Sequence, residues 1–182
     1  MTRIHHPYAW VRAIDRVSDV AGSLAKWALL AACMISGLNA IVRYSFGYSS
    51  NAWLEVQWYL FAVGVMLGAA QVLRLNEHVR VDVFYGNLKA RRQVWIDLLG
   101  LVLFLIPVMG LFALLSWPMF TDMYASGEVS PNAGGLIRWP VMLTLPLGFT
   151  LLVLQGVAEV SKRILWLRGR YSMDTHYEKP LQ

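Results

Sequence analysis

The chain has 182 residues, a hydrophobic fraction of 57%, only 15% charged residues, eight tryptophans and a formal net charge of +5. A soluble domain averages roughly 45–50% apolar and about 25% charged residues, so both departures run toward lipid and exclude a disordered chain over most of the length. Cys33 is the only cysteine, which excludes a disulfide scaffold within the chain.

Residues 1–19 form a basic head with Arg3, Arg12 and Arg16. Trp10, Ala13, Ile14 and Val17 share one helical face there, which suits a surface helix. The first spanning segment follows at about 20–42, with Lys26 near its start and free to snorkel. Leu30-Ala31-Ala32-Cys33 resembles a lipoprotein cleavage box. The apolar run continues nine residues past the cysteine, from Met34 to Val42, however, so it reads as a span rather than a removable signal. Cys33 is then expected as a small buried thiol.

The second span covers about 52–73. Glu55 stands one turn inside its start. It is either a polar anchor toward a partner or a solvated carboxylate stabilised by the helix dipole. Gly64 and Gly68 form a GxxxG that lets helices approach closely, inside this bundle or against another subunit. Gln71, like Gln155 in the fourth span, is placed to hydrogen-bond between helices.

The connection from Arg74 to Gln93 carries five basic residues. Val81, Phe84, Tyr85 and Leu88 fall on one helical face, which predicts a short amphipathic helix in the interface. Just before it, His78-Val79-Arg80-Val81-Asp82 is a poor metal set and a better local ion-pair network.

The third span covers about 94–120 and the fourth about 139–158, with Pro107 and Pro146 inside them. Each proline would cost a soluble helix about 3 kcal/mol. In a membrane, neighbouring helices re-satisfy the freed carbonyls, so both are expected as kinks. Gly148 and Gly156 share a face of the fourth span. The 18-residue loop between these spans, Thr121 to Arg138, contains Asp122 and Glu128 and is long enough to be functional. A basic tail fills 161–182.

Lys and Arg divide thirteen to two between the head, middle connection and tail on one side and the two remaining loops on the other. The positive-inside rule places both termini in the cytoplasm, as an even number of spans requires. Trp53, Trp117 and Trp139 then rim the outer interface, and Trp27, Trp95 and Trp166 the inner one. The expected fold is an all-α, four-transmembrane-helix bundle with cytoplasmic termini and one interfacial helix.

No ionisable residue lies near the bilayer midplane, where such groups are expensive and functional. None of the four histidines lies in a span, so haem ligation by His is excluded, although Met ligation stays open. Nothing pairs a nucleophile with a buried base. The basic residues flank spans rather than forming a nucleic-acid-binding domain. No enzyme, cofactor or metal site is therefore expected. A stand-alone four-span exporter and a membrane anchor of a redox complex remain as alternatives.

From about Ala40 to Lys162 the chain resembles the small membrane subunit of tripartite ATP-independent periplasmic (TRAP) transporters, the DctQ-like family. The resemblance rests on Trp53-Leu54-Glu55, Leu67-Gly68-Ala69-Ala70, His78-Val79-Arg80-Val81-Asp82, Gly127-Glu128-Val129-Ser130, Gly134-Gly135-Leu136, Trp139-Pro140 and Pro146-Leu147-Gly148-Phe149. It departs from the family in one respect. Only Glu55 stands where a pair of carboxylates often opens the second span. The resemblance implies a scaffold in the bacterial inner membrane, joined to a large membrane subunit that holds the transport and sodium sites. A periplasmic binding protein would deliver the solute, often an organic acid. Glu55, Gly64, Gly68, His78, Arg80, Asp82, Glu128 and Trp139 are the candidates for subunit contact or structural support. No motif of the GxxxxGK[ST] type occurs, in keeping with a secondary transporter.

Overall fold

The computed structural model describes residues 8–48, 50–76, 88–132 and 134–171. Among them are four helices long and apolar enough to cross a membrane: α1 (Ala9–Phe46), α2 (Asn51–Leu75), α3 (Ala90–Ser126) and α4 (Trp139–Leu167). At 1.5 Å per residue, α1 and α3 reach about 57 and 56 Å, well beyond a hydrocarbon core of about 30 Å. The head therefore contributes no separate helix, since residues 9–19 are the first turns of α1. Its Trp10 and Val17 are exposed, and the buried stripe is instead Val11, Ser18, Ala21 and Ala25.

Helix ends follow from local chemistry. Gly47 at φ 67° ends α1 and returns its N–H to the Arg43 carbonyl at 3.0 Å, a left-handed cap that a side chain would strain. Gly127 at φ 61° ends α3 likewise. Pro140, in the first turn of α4, loses no helical bond there.

Pro107 does not simply kink α3. Residues Leu101–Leu105 widen into a π-helical turn, in which the Ile106 N–H donates to the Leu101 carbonyl. A proline ring crowds the carbonyl four residues back, and the wide turn lies where that crowding would fall. Pro118 also lies inside α3, and Pro146 inside α4, where its side chain is buried.

α4 is the central helix. It packs against each of the other three, and 39% of its most apolar window is buried, against 17%, 17% and 11% for α1, α2 and α3. Small residues fill the contacts: Ala21, Ala25, Ala28 and Ala32 on α1, Ala70 on α2 and Ala158 on α4. Large apolar side chains such as Trp27, Phe104 and Leu114 face outward. That inversion of a soluble core is what lipid solvation permits, since burying a leucine inside gains nothing over leaving it in acyl chains.

Three expectations change. Cys33 is exposed rather than buried. The loop between α3 and α4 shrinks to residues 127–138, because α3 runs on to Ser126. The start of the tail is helical, so Lys162 and Arg163 belong to α4. His78, Arg80 and Asp82, and the interfacial helix through Val81, Phe84 and Tyr85, lie outside the described residues.

Candidate functional site

Polar chemistry concentrates at the two ends of the bundle. At one end the loop 127–138 folds back across the start of α2. A short antiparallel bridge joins Val129 to Ile137. The Ser130 N–H donates to the Leu136 carbonyl at 2.9 Å, and the Arg138 N–H to the Glu128 carbonyl at 3.0 Å. The turn between them passes through Gly134 at φ 72°. This small ribbon places three donors around Glu55. The Asn132 amide Nδ2 and the Leu136 N–H each donate at 2.7 Å, and the Ser130 hydroxyl donates to the same carboxylate.

Glu55 is 3% exposed. It is therefore not a solvated helix-start carboxylate. It is an acceptor already engaged by the chain's own loop, and charge-assisted bonds of this kind are stronger than neutral ones. The Tyr59 hydroxyl, one turn on, donates to the Ile137 carbonyl at 3.3 Å. Glu128 pairs with Arg138 at 2.5 Å on the exposed outer side of the ribbon. Trp139 meets Tyr124 edge to face, with centroids 5.4 Å apart, closing the loop's two ends together.

The opposite end, formed by the start of α1 and the end of α4, holds a buried ionic cluster. Glu159, Lys162 and Arg163 line one face of α4 at helical spacing, as i,i+3 and i,i+4 pairs must. Glu159 accepts from Lys162 Nζ at 2.7 Å and from Arg163 at 2.7 Å. Lys162 also reaches Asp15 of α1 at 2.8 Å, and Arg163 reaches Asp97 of α3 at 3.2 Å. Gln155, one turn back on α4, donates to Asp15 and accepts from the buried Ser18 hydroxyl at 2.7 Å. α1 and α3 are thereby tied together through α4. Beside them Arg74 of α2 pairs with Asp19 of α1 at 2.5 Å, and Gln71 donates to the same carboxylate. Both Gln71 and Gln155 therefore bond between helices, as expected from their positions. In the sequence Lys162 and Arg163 fall in the basic tail, and Glu159 is not singled out. Their spacing along α4, with Gln155 four residues before Glu159, was the available signal.

Between these ends the glycines set helix distances. A Cβ on Gly64 would come within 2.6 Å of Leu29, and one on Gly68 within 3.3 Å of the Ala25 Cβ, so both lie against α1. Gly148 lies against Met66 of α2, and Gly156 against Leu105 and Ile106 of α3. Two glycines on one face of α4 thus serve two different neighbours. Among the described residues, no three His, Cys, Asp or Glu side chains converge as a metal set requires.

The family model described as tripartite ATP-independent periplasmic transporters, DctQ component, matches residues 12–165. No curated protein and no solved structure matches the chain.

Proposed function

The chain belongs to the DctQ family, the small membrane component of TRAP transporters, and on that premise we propose that it is the fixed scaffold of a sodium-coupled importer. It pairs with a large membrane subunit that carries the transport and ion sites. A periplasmic binding protein supplies the solute, an organic acid by its class. The chain sits in the bacterial inner membrane with both termini in the cytoplasm, where thirteen of its basic residues then lie. In this orientation the ribbon over Glu55 faces the periplasm. Glu55, Gly64, Gly68, His78, Arg80, Asp82, Glu128 and Trp139 serve assembly and local structure rather than solute binding.

One observation carries this reading. The polar side chains of the bundle are turned on one another: Glu55 holds the loop, and Asp15, Asp97 and Glu159 are matched by Lys162 and Arg163. A carrier needs groups that exchange partners with ions and solute. Groups locked into each other instead hold helices at fixed distances.

Deletion of the chain's gene should abolish sodium-dependent solute uptake in the native cell. A mild-detergent pull-down should bring with it a much larger polytopic protein. Uptake undiminished by the deletion would refute the proposal.

A further inference from the structure

α1 and α2 pack closely only along part of their length. Gly22 lies against Gln71, Ala25 against Gly68 and Leu29 against Gly64. Beyond Ala32 no residue of α1 is buried. A Cβ built on Gly37 would meet no atom within 4 Å. The seam opens there into two cavities that share Ser36. The one toward the membrane surface, of about 540 Å³, is bordered by Asn39, Arg43 and Tyr44. The deeper one, of about 410 Å³, runs along Cys33, Gly37 and Phe61. Together they make one groove with a cationic, hydrogen-bonding upper end and a mainly apolar floor.

We infer that this groove holds one phospholipid, its phosphate at Arg43 and Asn39 and its acyl chains along Gly37, Cys33 and Phe61. Three features fit that occupant. From Leu29 to Tyr44 the groove is about 22 Å long at 1.5 Å per residue, the depth of one leaflet with its headgroups. Its charge sits at headgroup level, whichever way the chain is inserted. Arg43 has no carboxylate partner among the described residues, whereas Arg138 at the same end is paired with Glu128. A cation placed at phosphate depth above an apolar channel is complementary to a lipid along its whole length. A partner helix would fill the apolar floor but would have to bring a carboxylate to Arg43, whereas every phospholipid carries its phosphate at that depth.

The test is native mass spectrometry of the full chain in mild detergent, titrated with palmitoyl-oleoyl phosphatidylglycerol. One lipid should stay bound to the wild type. R43Q should lower its retention about tenfold, the scale of losing a charged hydrogen bond. G37F, which fills open space rather than the bundle, should lower it similarly while leaving the helical circular dichroism unchanged. Bound lipid should also slow alkylation of Cys33 by a maleimide. Equal retention of dioleoylglycerol, which lacks the phosphate, would overturn the inference. So would displacement of the lipid by millimolar inorganic phosphate, which would mark a free-phosphate site. Protection of Cys33 only in the presence of the large membrane subunit would assign the groove to a partner helix and overturn it too. Retention by both variants equal to the wild type would do the same.

Discussion

The Leu136 amide donates to the Glu55 carboxylate at 2.7 Å, joining positions 81 residues apart in the chain. This contact and its two companions make the loop 127–138 an ordered cover rather than a free connector. Replacing Glu55 with glutamine removes the charge that strengthens all three. Hydrogen exchange at the Leu136 amide should then rise by about tenfold, with α1 to α4 still protected. Unchanged exchange at Leu136 would show that the loop holds itself.

Glu159 has a different job, being a carboxylate that two buried cations, Lys162 and Arg163, share. Removing one partner of a buried pair leaves the other desolvated and unmatched, at a cost of about 3–5 kcal/mol. E159Q should therefore unfold at markedly lower temperature in detergent than the wild type. A melting temperature within a degree of the wild type would contradict the clamp. D97N, which weakens the Arg163 contact to α3 but leaves both Glu159 pairs in place, should cost less.

The exposed Glu128–Arg138 pair supplies the contrast. Both side chains are 43% exposed. Solvent screens such pairs to about 1 kcal/mol or less. E128Q should leave thermal stability almost unchanged, and adding salt should abolish whatever difference remains. A loss comparable to E159Q would mean that the ribbon depends on this pair.

Glycine substitutions should rank by what the new Cβ meets. At Gly68 it meets only the Ala25 Cβ, at 3.3 Å. At Gly148 it meets the Met66 backbone carbonyl at 2.8 Å, which cannot swing aside as a side-chain end can. G148A should lose about 1–3 kcal/mol as an overpacked contact does, and G68A less. Detergent melting curves of the isolated subunit would check the order, and a reversed order would reject these contacts.

The bundle itself was readable because lipid imposes a coarse rule. Four apolar runs of sufficient length must become four helices, since an unsatisfied backbone cannot stay in hydrocarbon. The ends were harder. Lys162 and Arg163 fall in the basic tail because hydropathy stops where charge starts, whereas α4 continues as a helix to Leu167. Cys33 read as buried because apolar surroundings in sequence were taken for protein, when its neighbour in space is open groove. Glu55 was legible as a position of interest. Its partners were not, because Ser130, Asn132 and Leu136 reach it only after the loop has folded back over α2.

The wide turn at Leu101–Leu105 works like a vernier between two helices. Down α4, the points that touch α3 step by seven, from Arg163 to Gly156 to Phe149. Their counterparts on α3 step by eight across the turn, from Asp97 to Leu105, and then by seven to Phe112. The extra residue is absorbed in the swollen coil, so the two halves of α3 stay in phase with a straight-counting neighbour. Removing one residue from Leu101–Leu105 would restore a step of seven and keep Phe112 facing Phe149, but would press the Pro107 ring against the carbonyl of a regular helical turn. The width of that turn, more than the identity of its side chains, lets a helix with one residue more stay in register with α4.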